Sequence, residues 1–282
     1  MIPLEKDSDH FYYVMTQLNE LQFQKFRALI FDNCGIQPKK EMIEGKLDKL
    51  LRKNNLSSYD EFYQLLSTGA NSVLWSEFID EITVHMSSFF RENNHFEFMR
   101  SQLRLIFEKN PRILKNNEIK LWSAGCSTGE EPYTLAMVLK EWLPQDMTIK
   151  ILATDISKRT MASAQRGIYP ATIKKEMDPY YLMQYFNRSE EDYEIKPELK
   201  ALITFRLFNL MDSFPFQDTF DIIFCRNVMI YFNAEIQQKL VQKFRAVLTM
   251  GGLLFIGHSE SLLNKQNGFQ YMQPTVYLNQ GK

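Results

Sequence analysis

Beyond residue 118 the chain alternates short apolar runs with segments of helical spacing, and no other feature narrows the possible folds as much. Residues 119–123 read as a strand, 130–142 as a helix, 148–154 as a second strand and 157–166 as a second helix. Strand candidates recur at 204–208, 220–225 and 253–257, with a helix over 234–248. Helices inserted between successive strands predict an α/β fold with a mostly parallel sheet covered on both faces. The last apolar run, 275–278, suits an antiparallel edge strand. Residues 167–203 break the alternation. They are polar, hold Pro170, Pro179 and Pro197, and predict a small antiparallel β-subdomain inserted around residues 193–195.

Upstream of residue 118 the pattern is helical throughout. Phe11, Val14, Met15, Leu18, Leu21, Phe26, Leu29 and Ile30 recur at helical spacing, and Gly35 supplies a stop. Pro38 suits the first turn of a helix reaching residue 54, and Ser57 to Glu61 looks like the capped start of a third helix. Residues 72–86 and 93–109 read as two more. The expected division is a helical N-terminal domain over 1–85, linker helices over 86–117 and an α/β domain over 118–282 carrying the insertion at 167–203.

Composition excludes several function classes. A net charge of -1 gives no global attraction to nucleic acid. No run approaches the ~20 apolar residues that cross a bilayer, and the opening residues lack the apolar core of a signal peptide, so a cytoplasmic protein is expected. Cys34, Cys126 and Cys225 are odd in number and far apart, which predicts reduced thiols. His10, His85, His95 and His258 show no metal-ligand spacing, so no metal is expected.

The chemistry concentrates where the first strand ends. Residues 122–133 read Trp-Ser-Ala-Gly-Cys-Ser-Thr-Gly-Glu-Glu-Pro-Tyr: a strand, a turn of small residues, then a helix. Such a turn lets a ligand approach the backbone next to the free N–H groups of a helix start. The glycines are spaced GxxxG, unlike the GxGxxG of dinucleotide enzymes. Glu130 and Glu131 stand where a diphosphate would dock, and their charges would repel it. A phosphate-free cation suits the place better, and S-adenosylmethionine carries a sulfonium and an ammonium. Complementing the helix dipole is the plainer role for both glutamates. Asp155 ends the second strand, where an acid accepts hydrogen bonds from ribose hydroxyls. Capping the next helix is its alternative role, and replacing it is expected to cost binding with little loss of folding.

These stretches, with Ala-Thr-Asp155-Ile, Phe-Cys-Arg-Asn-Val-Met-Ile-Tyr-Phe232, Gly-His-Ser-Glu260 and Ser87-Ser-Phe-Phe-Arg91, together resemble the CheR family of chemotaxis-receptor methyltransferases. The resemblance spans residues 25–279. It implies a Rossmann-like class I methyltransferase sheet behind an all-helical N-terminal domain, with S-adenosylmethionine held between them and S-adenosylhomocysteine as product. By motif position it places His85, Ser87 and Arg91 at the cofactor or the methyl-transfer site. It assigns Glu130 or Glu131 to the ammonium, Asp155 to the ribose, Asn209 and Leu210 to the adenine surroundings, and Arg226 and Asn227 to the end of the fourth strand. Tyr231 matches a tyrosine facing the transferred methyl. Arg91 and Tyr231 are thus the expected catalytic pair, in a reaction that esterifies glutamate side chains.

On the helix after Pro38, Lys39, Lys46, Lys49, Arg52 and Lys53 form a basic stripe beside the apolar Ile43, Leu47, Leu50 and Leu51. A solvated face is its ordinary meaning. The resemblance implies docking on the helical cytoplasmic signalling domain of a receptor. Residues 187–195 are short, acidic and free of glycine, so docking without a grip on the receptor's tail peptide is expected. Three other readings stay open on the residues: a methyltransferase with a different acceptor, a non-catalytic module that binds the cofactor, and a NAD-dependent oxidoreductase, against which the acidic pair speaks.

Overall fold

The computed structural model describes residues 17–69, 71–216, 219–262 and 268–281. Four helices open it: α1 (Glu20–Cys34), α2 (Lys40–Lys53), α3 (Tyr59–Ser67) and α4 (Ser72–Ile82). The sequence-predicted helix over 11–34 begins at Glu20, because Asn19 and Gln22 form a reciprocal capping box there; Phe11, Val14 and Met15 lie outside the described residues. Gly35 takes φ 72° and closes α1 on the carbonyl of Phe31. Leu18, Phe26, Ile43, Leu47, Phe62 and Phe78 are almost fully buried together and give these helices a core of their own.

α4 stops at Ile82, four residues before the predicted end. Thr83 turns extended and its hydroxyl donates back to the carbonyl of Ile79 at 2.6 Å. Residues 83–88 then run without helical structure into α5 (Asn94–Lys109) and the short α6 (Arg112–Asn116). Phe96, Met99, Leu103 and Ile106 of α5 pack in the same core as the sheet.

The sheet follows: β1 (Glu118–Ala124), α7 (Glu130–Trp142), β2 (Thr148–Asp155) and α8 (Lys158–Arg166). An insertion of β3 (Ile168–Pro170), α9 (Pro179–Tyr185), β4 (Phe186–Arg188), β5 (Asp192–Ile195) and α10 (Pro197–Lys200) forms a three-stranded antiparallel sheet in the order β3-β5-β4. The chain returns through β6 (Ile203–Leu207), β7 (Phe220–Cys225), α11 (Ala234–Val247), β8 (Leu248–Ile256), β9 (Phe269–Gln273) and β10 (Val276–Asn279). The main sheet has seven strands in the order β6-β2-β1-β7-β8-β10-β9. The first five run parallel, β10 runs antiparallel to β8, and β9 runs antiparallel to β10. The predicted α/β class with a helical domain and an inserted β-subdomain is what the chain adopts.

One expectation fails in detail. The run at 275–278 was to be the edge strand, yet β10 lies inside the sheet between β8 and β9, and β9 takes the edge. Phe269 alone among its residues is fully buried, so β9 shows no apolar alternation in the sequence. The faces divide cleanly along β1. Leu121 points toward α5 and α7, and Trp122 toward α11, ringed by Phe208, Phe214, Phe216, Phe220 and Phe244.

Candidate active site at the carboxyl edge of the sheet

Strand order turns back at β1, with β2 on one side and β7 on the other, so a crevice opens beyond the carboxyl ends of these strands. A cavity of about 300 Å³ lies there. Its floor comes from the residues after β1, β2, β6 and β7, and its roof from the end of α1, the start of α2 and residues 82–91. His85, Ser87, Arg91, Glu131, Asp155, Asn209, Leu210, Arg226, Asn227 and Tyr231 all line it, and so do Lys39 and Lys46. Glu130, Lys49, Arg52 and Lys53 are not among its lining residues.

Two glycines let the turn after β1 close. Gly125 has φ 89°, and a Cβ there would stand 2.4 Å from Val228. Gly129 has φ 99°, and a Cβ would fall 3.1 Å from the backbone of Ala164. Both conformations are costly for any side chain. The Ser127 N–H that the turn frees donates to Asp155 at 2.9 Å, and the Ser157 N–H donates to the other oxygen at 3.0 Å. Ser157, not Asp155, caps α8. Asp155 therefore ties the first turn to the second while facing the cavity. The Thr160 hydroxyl also lies 3.3 Å from Oδ1; of the about four lone-pair positions a carboxylate offers, at least one remains for a ligand.

The acidic pair splits. Glu131 is buried, accepts from the Ser123 hydroxyl at 2.6 Å, and accepts from Arg226 Nε at 2.7 Å. Glu130 turns elsewhere: the Thr128 hydroxyl lies 2.8 and 2.7 Å from its two oxygens. Burial pushes the Glu130 carboxyl above its ordinary pKa, against the bonds from Thr128 and Ser87. Arg226 is the hub. Besides Glu131 it donates to the carbonyl of Arg91 at 2.6 Å, stands 3.5 Å from Glu92, and lies over the rings of Phe96 and Phe224.

His85 sits on the extended segment after α4 and not on a helix, as its position in the predicted 72–86 helix had implied. Its Nε2 is 2.7 Å from the Thr83 hydroxyl, and its carbonyl accepts from the Ser127 hydroxyl at 3.0 Å. Burial lowers its pKa, with the charge of Asp155 opposing. Arg91 donates to the carbonyl of Met86 at 2.8 Å. Asn209 reaches across to the carbonyl of Asn33 at 2.7 Å, and its side-chain oxygen accepts from Met211 N–H. Tyr231 ends a 3-10 turn, Met229–Tyr231; burial raises its phenol, and the charge of Arg91 acts the other way. Cys126 borders the cavity with a thiol that burial holds far above its usual pKa, so it is no nucleophile.

Sequence reasoning gave no role to Glu260, the last residue of the Gly-His-Ser-Glu stretch. Its buried carboxylate accepts from the N–H groups of Asn227, Ile230 and Gly257 at 3.1, 3.1 and 2.5 Å. It holds the loop carrying Asn227, itself at φ 59°, and Tyr231. Glu260→Ala is expected to destabilise the protein by about 1–3 kcal/mol, because buried donors lose their acceptor; the shift in denaturation midpoint measures it.

The basic stripe divides as well. Lys49 pairs with Glu81 at 2.9 Å and Lys53 with Glu77 at 2.9 Å, both acids on α4. Lys46 reaches the carbonyl of Ile82 at 3.4 Å, and its burial lowers its pKa. Lys39 precedes α2 and is exposed. The cavity is thus two-sided: Asp155 and the Glu131–Arg226 pair stand on the sheet, and Lys39, Lys46 and Arg91 stand on the roof. Ile36, Ile156, Phe208 and Leu210 add apolar wall. A site of this size and lining suits an adenosine compound. The open side of the Asp155 carboxylate suits ribose hydroxyls, and the Asp155 and Glu131 carboxylates together outweigh Arg226 on the floor, which suits a cationic ligand.

Two family models match the chain in series: the CheR methyltransferase all-alpha domain over residues 21–83, and the CheR methyltransferase SAM binding domain over 85–278. A chemotaxis protein methyltransferase of Borreliella burgdorferi is 38% identical over 264 residues, which is 91% of this chain and 93% of that protein. Its counterpart in Escherichia coli is 33% identical, covering 92% of this chain and 91% of that one. Chemotaxis protein methyltransferase 1 of Pseudomonas aeruginosa is 30% identical over 89% and 94%.

Proposed function

The chain belongs to the CheR methyltransferase family, and from this premise we propose that its acceptor is a glutamate side chain on the helical cytoplasmic domain of a chemotaxis receptor. It is an S-adenosylmethionine-dependent methyltransferase of chemotaxis. The observation that carries the reading of the acceptor is the opposed charge of the two cavity walls. A cationic cofactor is drawn to Asp155 and Glu131, and an anionic acceptor to Lys39, Lys46 and Arg91.

S-adenosylmethionine supplies an activated methyl group on a sulfonium. Asp155 would hold the ribose, and Asn209 and Leu210 would border the adenine together with Phe208 and Ile156. Glu131, the glutamate that faces the cavity, would take the ammonium, while Arg226 fixes its carboxylate in place. His85 and Ser87 would close the cofactor from above, with Ser87 tied to Glu130. A glutamate acceptor has a reference pKa of about 4.3 and is ionised at neutral pH, so no residue needs to remove a proton. The protein's task is to align the reactants and exclude water. Arg91, tethered to Met86, positions the incoming carboxylate from the roof side, and Tyr231 presents its ring at the same opening. An arginine clamped on the attacking oxygen would weaken it as a nucleophile, so positioning is its role.

Incubation with labelled cofactor and isolated receptor signalling domains tests the reading. Base-labile label should appear and should vanish when receptor glutamates are changed to alanine. Label that is base-stable, or that persists on such variants, points to another acceptor. Cofactor binding without transfer to any receptor domain identifies a binding module.

The ion pairs on α2 set a ranking among the lysines. Lys39→Gln with Lys46→Gln should raise the KM for receptor several-fold, more so at low salt, with cofactor affinity unchanged. Lys49→Gln with Lys53→Gln should do less, since α4 already offsets those charges. Equal losses of receptor and cofactor binding would make the stripe structural. Between β4 and β5 three exposed residues, two of them Glu190 and Glu191, make the connection. This short acidic hairpin supports docking without a hold on the receptor tail. No helix among the described residues is long and apolar enough to cross a membrane, which fits a protein that meets its receptor from the cytoplasm.

A further inference from the structure

We propose that Glu92, His95 and His258 form a binding site for one zinc-type divalent cation beside the cofactor cavity. In the sequence these residues are scattered, but the fold brings one ligand atom of each within 4.8 Å of the others. Glu92 and His95 bracket the start of α5, and His258 follows β8.

The hydrogen bonds around His95 carry the argument. The Thr275 hydroxyl lies 2.6 Å from the carbonyl of Pro274 and donates its single hydrogen there. It must therefore accept from His95 Nε2, 2.7 Å away. That assignment puts the ring hydrogen on Nε2 and leaves a lone pair on Nδ1. His95 is fully buried, and its Nδ1 has no hydrogen-bond partner. It faces Glu92 Oε2 at 3.5 Å, which likewise has no hydrogen-bond partner. Two buried acceptors thus confront each other; Arg226 offsets part of the Glu92 charge from 3.5 Å, but the His95 Nδ1 lone pair is left facing a carboxylate, which a cation between them would relieve.

The distance suits a metal. With metal–ligand bonds of about 2.0–2.2 Å, neighbouring ligand atoms of a tetrahedral site stand about 3.4 Å apart. The ring of His258 is half exposed and lies 4.0 Å from the other Glu92 oxygen, so a small rotation completes a two-histidine, one-carboxylate set with one position open to solvent. The bond that His95 Nε2 donates to Thr275 is the outer-sphere support that a ligating imidazole needs. Arg226 stands 3.5 Å from Glu92 Oε2 and repels cations. Selectivity comes from the donors: two imidazole nitrogens and one carboxylate suit zinc, whereas calcium and magnesium take oxygen ligands. A bound cation would join the backbone after Arg91 to the loop that ends in Glu260.

The full-length untagged chain, stripped with a chelator, should be titrated with Zn²⁺ by calorimetry and with Co²⁺ as a visible probe. One equivalent should bind, with the ligand-field bands of a four- or five-coordinate site, and Zn²⁺ should raise the melting temperature. His258→Ala, at an exposed position, should fold normally and lose affinity by about tenfold or more. Absence of binding, or binding that His258→Ala leaves unchanged, overturns the proposal.

Discussion

Replacing Arg226 by methionine is expected to destabilise the protein by about 3–5 kcal/mol, the usual result of stranding one member of a buried ion pair. The Arg226 side chain is 3% exposed and that of Glu131 10%. Methionine fills the space over Phe96 and Phe224, so lost packing contributes little. What remains is Glu131 without its guanidinium and the Arg91 carbonyl without its donor. Adding Glu131→Gln removes the uncompensated charge, so the double variant should recover much of the loss. Denaturant unfolding of the two single variants and the double variant measures this. A loss in Arg226→Met below about 1 kcal/mol, the range of exposed pairs, would show that Arg226 is not the hub described above.

Asp155→Ala should lower affinity for S-adenosylmethionine at least tenfold, since each charge-assisted hydrogen bond to a ribose hydroxyl contributes about 1.5–3 kcal/mol. The sequence alone led us to expect little effect on folding. The structure revises that expectation, because the substitution also strands the N–H groups of Ser127 and Ser157 at a cost of about 1–3 kcal/mol. Calorimetric titration well below the melting temperature separates the two effects. Unchanged affinity in the folded variant would remove Asp155 from the cofactor site.

What could be read in advance follows from the range of the interactions involved. The helix over 130–142 was legible to the residue, because Gly129 in a left-handed conformation forces its start. The strand 220–225 was equally plain, since every residue in it is buried. β9 was not, because an exposed edge needs no apolar run. The end of α4 turned on a threonine hydroxyl bonding to the preceding turn, which helical periodicity does not register. Family motifs pointed to most residues around the cavity, but not to their pairings. Glu131 meets Arg226 across 95 residues, and Glu260 meets Asn227 across 33. Such partners are set by strand order, which a single sequence expresses only after folding. The same holds for Lys49 and Lys53, whose acidic partners Glu81 and Glu77 come from α4 and meet them at the surface.

The first four helices and the sheet have separate cores, and the two halves meet at the cavity through a few polar contacts and one β-bridge. Ile36 bridges Phe232, Asn209 holds the carbonyl of Asn33, and Asp80 accepts from the Ser157 hydroxyl at 2.6 Å. A ligand gripped by both halves therefore acts as a clasp. Its arrival should slow hydrogen exchange along these seams before it alters either half, and a chimera that borrows its helical half from a relative will inherit a defective clasp unless the seam residues travel with it.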